Sequence, residues 1–213
     1  MNYKNVIIVL SLVLIFFSCS GGDNADDPIQ DDPDPVDLGN VNDCGTYPIQ
    51  ETSPYKLPYN VGEAYEVSQA NCTDNSHREG TLGQFAYDFR MPIGTDLIAI
   101  RPGVVVAIQE SFPNVGSVQQ PGEENFVIIN NNDGTQDRYF HLDQDGVHVE
   151  VGQTVSRGQL IASSGNSGGT PFPHLHLEVI RATPGGGIPI AVTFSNTRPH
   201  PTGLVKGQTY QAE

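Results

Sequence analysis

Pro173-His174-Leu175-His176-Leu177-Glu178-Val179-Ile180-Arg181 is the most informative stretch of this 213-residue chain. Successive side chains of a β-strand alternate between faces, so His174, His176 and Glu178 share one side while Leu175, Leu177 and Val179 share the other. The two imidazoles are then about 7 Å apart. One face suits a hydrophobic core. The other lines up two imidazoles and a carboxylate, a set of groups suited to binding a metal and moving a proton.

The same alternation extends outward along the chain. Gln84-Phe85-Ala86-Tyr87-Asp88-Phe89 sets aromatics at 85, 87 and 89 against Ala86 and Asp88. A carboxylate among such hydrophobes is costly unless paired, so Asp88 calls for an arginine or a metal. Tyr139-Phe140-His141-Leu142 presents one further histidine amid apolar residues. The pattern predicts strands near 84–90, 96–100, 103–109, 125–130, 136–142, 159–163 and 174–181. Pro92, Gly94, Pro102-Gly103, Asn131-Asn132-Asp133-Gly134 and the run from Gly165 to Pro173 break them. Past the N-terminal apolar run, no twelve-residue segment carries a helical period, and the expected fold class is all-β with antiparallel sheets of short strands.

Composition narrows the chemistry. With 25 acidic against 10 basic side chains the net charge is −15, the wrong sign for neutralising phosphates, so no nucleic-acid partner is expected. Neither a Walker loop nor a Gly-x-Gly-x-x-Gly fingerprint occurs. The rhythm Val149-x-x-Gly152-x-x-Val155-x-x-Gly158-x-x-Ile161 is similar to biotinyl and lipoyl carrier domains. The only lysines past residue 4 are Lys56 and Lys206, outside that rhythm, so no cofactor attachment follows.

The termini of the domain read separately. Lys4 followed by the apolar run Val6–Phe17 is a secretory signal, too short for a secure membrane span. Phe17-Ser18-Cys19-Ser20-Gly21 resembles a bacterial lipobox, which implies a signal peptide over 1–18 and a membrane lipoprotein anchored through lipidated Cys19. Residues 20–43 hold eight Asp, three Pro and no Lys or Arg, the composition of a disordered tether, giving a lipid-anchored segment over 19–43. Residues 44–213 are left as the folded domain. In an exported compartment Cys44 and Cys72 pair as a disulfide or remain two buried thiols.

Taken in order, these segments resemble the M23 (lysostaphin- or LytM-like) zinc metallopeptidases. The resemblance runs over about 77–181, with 182–213 as a C-terminal extension. It includes Asp88-Phe89, Pro92-x-Gly94-Thr95, Tyr139-x-His141-Leu142, Ser164-Gly165-Asn166-Ser167-Gly168 and His174-Leu175-His176-Leu177-Glu178. It implies a β-sandwich of duplicated-hybrid-motif type with an open groove. Carried over by position, Asp88 and His176 match zinc ligands, and His141 and His174 match the two catalytic histidines that do not bind the ion.

The family's remaining ligand, four residues before the aspartate, is here Gln84. Ser76-His77 looks like a variant that supplies the imidazole from farther upstream, with Gly80 and Gly83 letting the chain fold back. The resulting set of His77, Asp88 and His176 leaves a fourth tetrahedral position open. Glu178 is either a hydrogen-bond partner of an imidazole or a solvated strand end, and His148 and His200 read as surface residues. The implied function is zinc-dependent hydrolysis of peptide cross-links in cell-wall peptidoglycan, in the bacterial cell envelope. The alternative is an inactive M23-fold regulator of another wall hydrolase, which Gln84 favours.

Overall fold

The computed structural model describes residues 44–213, apart from 74, 119 and 121. The expected signal peptide, Cys19 and the acidic stretch that follows lie outside the described residues. Twelve strands are seen within them: β1 (Ala64–Gln69), β2 (Tyr87–Arg90), β3 (Asp96–Ile98), β4 (Gly103–Gln109), β5 (Phe126–Asn130), β6 (Thr135–Phe140), β7 (Leu142–Val147), β8 (Thr154–Val155), β9 (Leu160–Ser164), β10 (His174–Thr183), β11 (Gly186–Pro189) and β12 (Thr209–Gln211). The helical turns among the described residues are short 3-10 segments. The all-β, antiparallel expectation is met.

The larger sheet runs β12-β1-β2-β10-β6-β5-β4-β8, with β11 forming a hairpin on the far end of β10. The smaller one runs β3-β9-β7. Leu175, Leu177 and Val179 of β10, Tyr87 and Phe89 of β2, and Val127 and Ile129 of β5 join Leu97, Ile161 and Ala162 from the smaller sheet in one buried core. The apolar face of β10 therefore holds the molecule together, which leaves its other face for chemistry.

Three expectations need correction. The segment 84–90 is not one strand: a 3-10 turn covers Leu82–Phe85 and the strand begins at Tyr87. Hydrogen bonds from Gln84 N–H to Thr81 O and from Ala86 N–H to Gly83 O close that turn, so local contacts override the alternation. The segment 136–142 is broken at His141, whose φ of +62° lies in the left-handed region. There the chain leaves the larger sheet as β6 and enters the smaller one as β7. His200 is not a surface residue but 3% exposed. It closes its own loop, Nε2 accepting from Phe194 N–H and Nδ1 donating to Arg198 O, each at 2.9 Å. His148 is exposed, as expected.

The sheet is also wider than the stretch that carried the resemblance. Tyr55, Leu57 and Tyr59 from the N-terminal arm and Phe194, Leu204 and Tyr210 from the C-terminal segment are buried in the same core. Cys44 and Cys72 form a disulfide.

Candidate metal centre

Two of the candidate ligands are placed by strand pairing alone. His176 of β10 lies directly opposite Asp88 of β2, on the face away from the core. His176 Nδ1 is 2.8 Å from Asp88 Oδ1. The third comes from a loop: His77 ends a 3-10 turn between β1 and β2 and is completely buried. Its Nε2 lies 3.2 Å from Asp88 Oδ1 and 3.2 Å from His176 Nδ1.

These three atoms make a triangle with edges of 3.2, 3.2 and 2.8 Å. Donors at about 2.0–2.1 Å from a tetrahedral zinc ion are separated by about 3.3–3.4 Å. The triangle therefore has nearly the size of one tetrahedral face, and its donors, two imidazoles and a carboxylate, are of the type zinc takes. His77, Asp88 and His176 are the residues that could hold a metal ion.

The other nitrogen of each candidate imidazole faces an oxygen. His77 Nδ1 faces Ala70 O at 3.2 Å, which fixes the tautomer with Nε2 turned to the triangle. His176 Nε2 faces Glu178 Oε2 at 3.7 Å, and Glu178 Oε1 is 3.3 Å from Arg138 Nη1. Glu178 thus reaches an imidazole and is no free strand end. Arg138 escaped sequence reading because only the pairing of β6 with β10 sets it opposite Glu178.

Gln84 turns away, its Oε1 accepting from Gly80 N–H at 3.0 Å. The return of the chain from His77 depends on Gly83. A Cβ there would lie 2.6 Å from Ser76 O, a backbone atom with little room to yield.

His141 and His174 flank the triangle, with ring centroids 4.7 Å apart. Each anchors Nδ1 on a backbone carbonyl: His141 on Ser167 O at 2.8 Å, His174 on Phe172 O at 2.9 Å. Thr170 Oγ1 adds a second contact to His174 Nδ1 at 3.0 Å. His174 Nε2 points back toward Asp88 Oδ2, 3.6 Å away. The left-handed backbone of His141, a conformation that costs on the order of 1–3 kcal/mol, is held by Gly165 N–H donating to its carbonyl at 2.9 Å. The ring is thereby turned out of the strand and into the site.

Charge divides the site in two. Burial would raise Asp88, but hydrogen bonds from His176 and His77 and their charges hold its carboxyl far below the carboxylate range. Burial likewise disfavours charge on His176, yet Asp88 and Glu178 raise it to about 10. Burial raises Glu178 too, and His176 and Arg138 outweigh it and lower that carboxyl. Anionic oxygen is therefore concentrated around His176, as a cation requires. On the other side burial pushes His141 down to about 3, aided by the charges of His174 and His176, and burial also lowers His174. These two rings are neutral, with Nε2 able to accept a proton. A cavity of about 470 Å3 opens over the site between Gln69, Ser76, Thr170 and Phe172. A second of about 320 Å3 lies beyond His141 and His176, beside Glu124 and Phe140.

Comparison with known proteins covers much of the same stretch of chain. The model of "Peptidase family M23" matches residues 83–188, a span with Asp88, His141, His174 and His176 that begins after His77. The peptidoglycan DD-endopeptidase ShyA of Vibrio cholerae is 42% identical over 93 residues, 44% of this chain and 19% of the relative. Lysostaphin of Staphylococcus simulans is 35% identical over 94 residues, 44% of this chain and 17% of the relative. The chain thus spans less than a fifth of the length of these curated relatives. Among solved structures, the M23 metalloprotease pseudoalterin from the deep sea superposes with a TM-score of 0.50 at 16% identity, over 76% of this chain and 96% of its own. That likeness shows the shared fold.

Proposed function

Because the chain belongs to peptidase family M23 through the domain at residues 83–188, we propose that it is a zinc-dependent endopeptidase that hydrolyses peptide cross-links of peptidoglycan in the bacterial cell envelope. The observation that carries this reading is the triangle of His77 Nε2, Asp88 Oδ1 and His176 Nδ1. The curated relatives support the substrate class, one being named a peptidoglycan DD-endopeptidase. We further assign the lipobox-like Cys19 as a lipid anchor, which would confine the domain near its polymeric substrate and raise the effective concentration there.

Zinc held by the triangle would supply Lewis acidity and a water of lowered pKa. The chain's own residues do the rest. Asp88 and Glu178 set the charge around His176, and Ala70 O and Glu178 orient the two ligating rings. His141 and His174, neutral and fixed through Nδ1, present Nε2 to accept a proton from the attacking water and return it to the leaving amine. His77 supplies the third donor, so the regulator reading loses the ground that Gln84 gave it.

The zinc content of two single variants tests the assignment. His77→Ala is expected to lose bound zinc and peptidoglycan hydrolysis together, while Gln84→Ala keeps both. A His77→Ala protein with full zinc and full activity would overturn the ligand set.

A further inference from the structure

Asp88 and His176 are held by a β-ladder, whereas His77 is carried by the loop between Gln69 and Tyr87, which meets β2 through the Asn71 amide 2.8 Å from the Tyr87 hydroxyl. That loop is folded on itself by a few contacts. Cys72 N–H donates to Gln84 O at 2.8 Å, and Thr73 Oγ1 donates to Ala70 O at 2.7 Å, the same carbonyl that His77 Nδ1 faces. Thr81 Oγ1 donates to Ser76 O at 2.8 Å, beside the close approach of Gly83. One covalent link ties the loop to the rest of the domain: the disulfide from Cys72, five residues before His77, to Cys44. Cys72 sits in the left-handed region, at φ +53°, so the chain turns sharply there between the carbonyl of Ala70 and the histidine. On the other side of the bridge the arm is packed down, with Tyr47 against the Phe85 ring at a centroid distance of 6.3 Å and its hydroxyl 2.8 Å from the Asn71 amide.

The geometry points to the Cys44–Cys72 disulfide as a positioning element of the metal centre: it keeps the Ala70–His77 turn closed so that His77 Nε2 stays on the donor triangle. This rests on His77 being a ligand, as proposed above. Without the bridge the other two donors remain in register, because β2 and β10 do not depend on it. The third would reach the ion only part of the time, which costs affinity and leaves a share of the loaded sites with two protein donors. Loss of a group that orients a ligand lowers metal affinity about 10- to 100-fold.

The test compares wild type, Cys44→Ala/Cys72→Ala and His77→Ala. The double variant is used because a single substitution would leave a thiol close to the centre that could itself bind metal. Zinc dissociation constants are measured at 25 °C by competition with a chromophoric chelator, and thermal unfolding is followed on the metal-free proteins. The double variant is expected to bind zinc about 10- to 100-fold more weakly than wild type, toward the value of His77→Ala. Its cobalt form should show the altered visible spectrum of a site that has lost a nitrogen donor. If the bridge is only a staple for the arm, the metal-free melting temperature falls while zinc affinity and the cobalt spectrum stay at wild-type values, and the proposal is overturned. If His77→Ala also binds zinc like wild type, the ligand assignment fails and takes this proposal with it. Should the double variant not fold, zinc-loaded wild type is treated with a phosphine reductant. Release of zinc to the chelator must then accelerate when the bridge opens, and an unchanged rate counts against the proposal.

Discussion

His141 shows how far a single residue can be read. Its place beside Leu142 marked it as a candidate, but the kink that aims it was invisible, because a positive φ at a non-glycine residue has no signature in composition. Beside the kink Gly165 comes so near Leu142 that a Cβ would lie 2.4 Å from backbone atoms there, an approach open only to glycine. The proposed role of the two flanking rings makes a separable claim, since neither belongs to the triangle. His141→Ala and His174→Ala are expected to keep about one equivalent of zinc, yet to lose about two to four orders of magnitude in turnover, the scale of general acid–base catalysis. Peptidoglycan hydrolysis at the wild-type rate in both variants would remove them from the mechanism. His200 was misread for the opposite reason: a histidine between two prolines resembles a loop residue, and only burial reveals that its ring closes the loop.

At the scale of elements, strand alternation was legible wherever one face of a strand meets the core, which is why β10 could be read almost to its ends. It failed where a strand buries only one side chain. β1 and β12 pair with each other, and neither shows a pattern that stands out alone. β6 carries a feature with a measurable cost. Asp137 is completely buried. Its Oδ1 accepts from Asn131 Nδ2 at 2.8 Å, while Oδ2 has no partner among the described residues. Burial, only partly offset by Asn131 and Arg101, pushes its pKa up to about 7. The folded state therefore keeps a proton that the unfolded chain, with an ordinary aspartate near 4, releases. Stability falls as pH rises from about 4 to 7 and levels off above that window. Asp137→Asn removes this dependence, so its stability relative to wild type should rise across the window, by up to about 4 kcal/mol. Urea unfolding of both chelated proteins at pH 4, 5.5 and 8 measures it, and a difference that does not change with pH would contradict the assignment.

For the whole molecule, the flanking segments were the least legible part, since their buried residues have partners far along the chain. Tyr59 Oη donates to Tyr210 O at 2.8 Å across 151 residues, and Tyr87 Oη accepts from Leu204 N–H at 3.2 Å across 117. Such contacts leave no periodic trace in a chain rich in proline and turns. The N-terminal side matters for placement in the envelope as well. The described residues begin at Cys44, so a lipid on Cys19 would leave 24 residues between the two cysteines. The anchor assignment expects Cys19→Ser to lose both labelling by a fatty-acid probe and recovery with membranes, while the peptidase activity of the released protein is kept. Labelling that survives the substitution would refute it.

The pairing of His176 with Asp88 also has a bearing on biogenesis. These two donors are 88 residues apart in the chain and become neighbours only when β2 and β10 align. Contacts of that span are slow to form, because a long loop must close before they return any free energy. A nascent or unfolded polypeptide therefore has no metal centre to carry with it. If the chain crosses a membrane as an extended thread, the proposed centre arrives empty, and its ion would be acquired on the far side, from whatever pool that compartment holds, as the closing step of maturation.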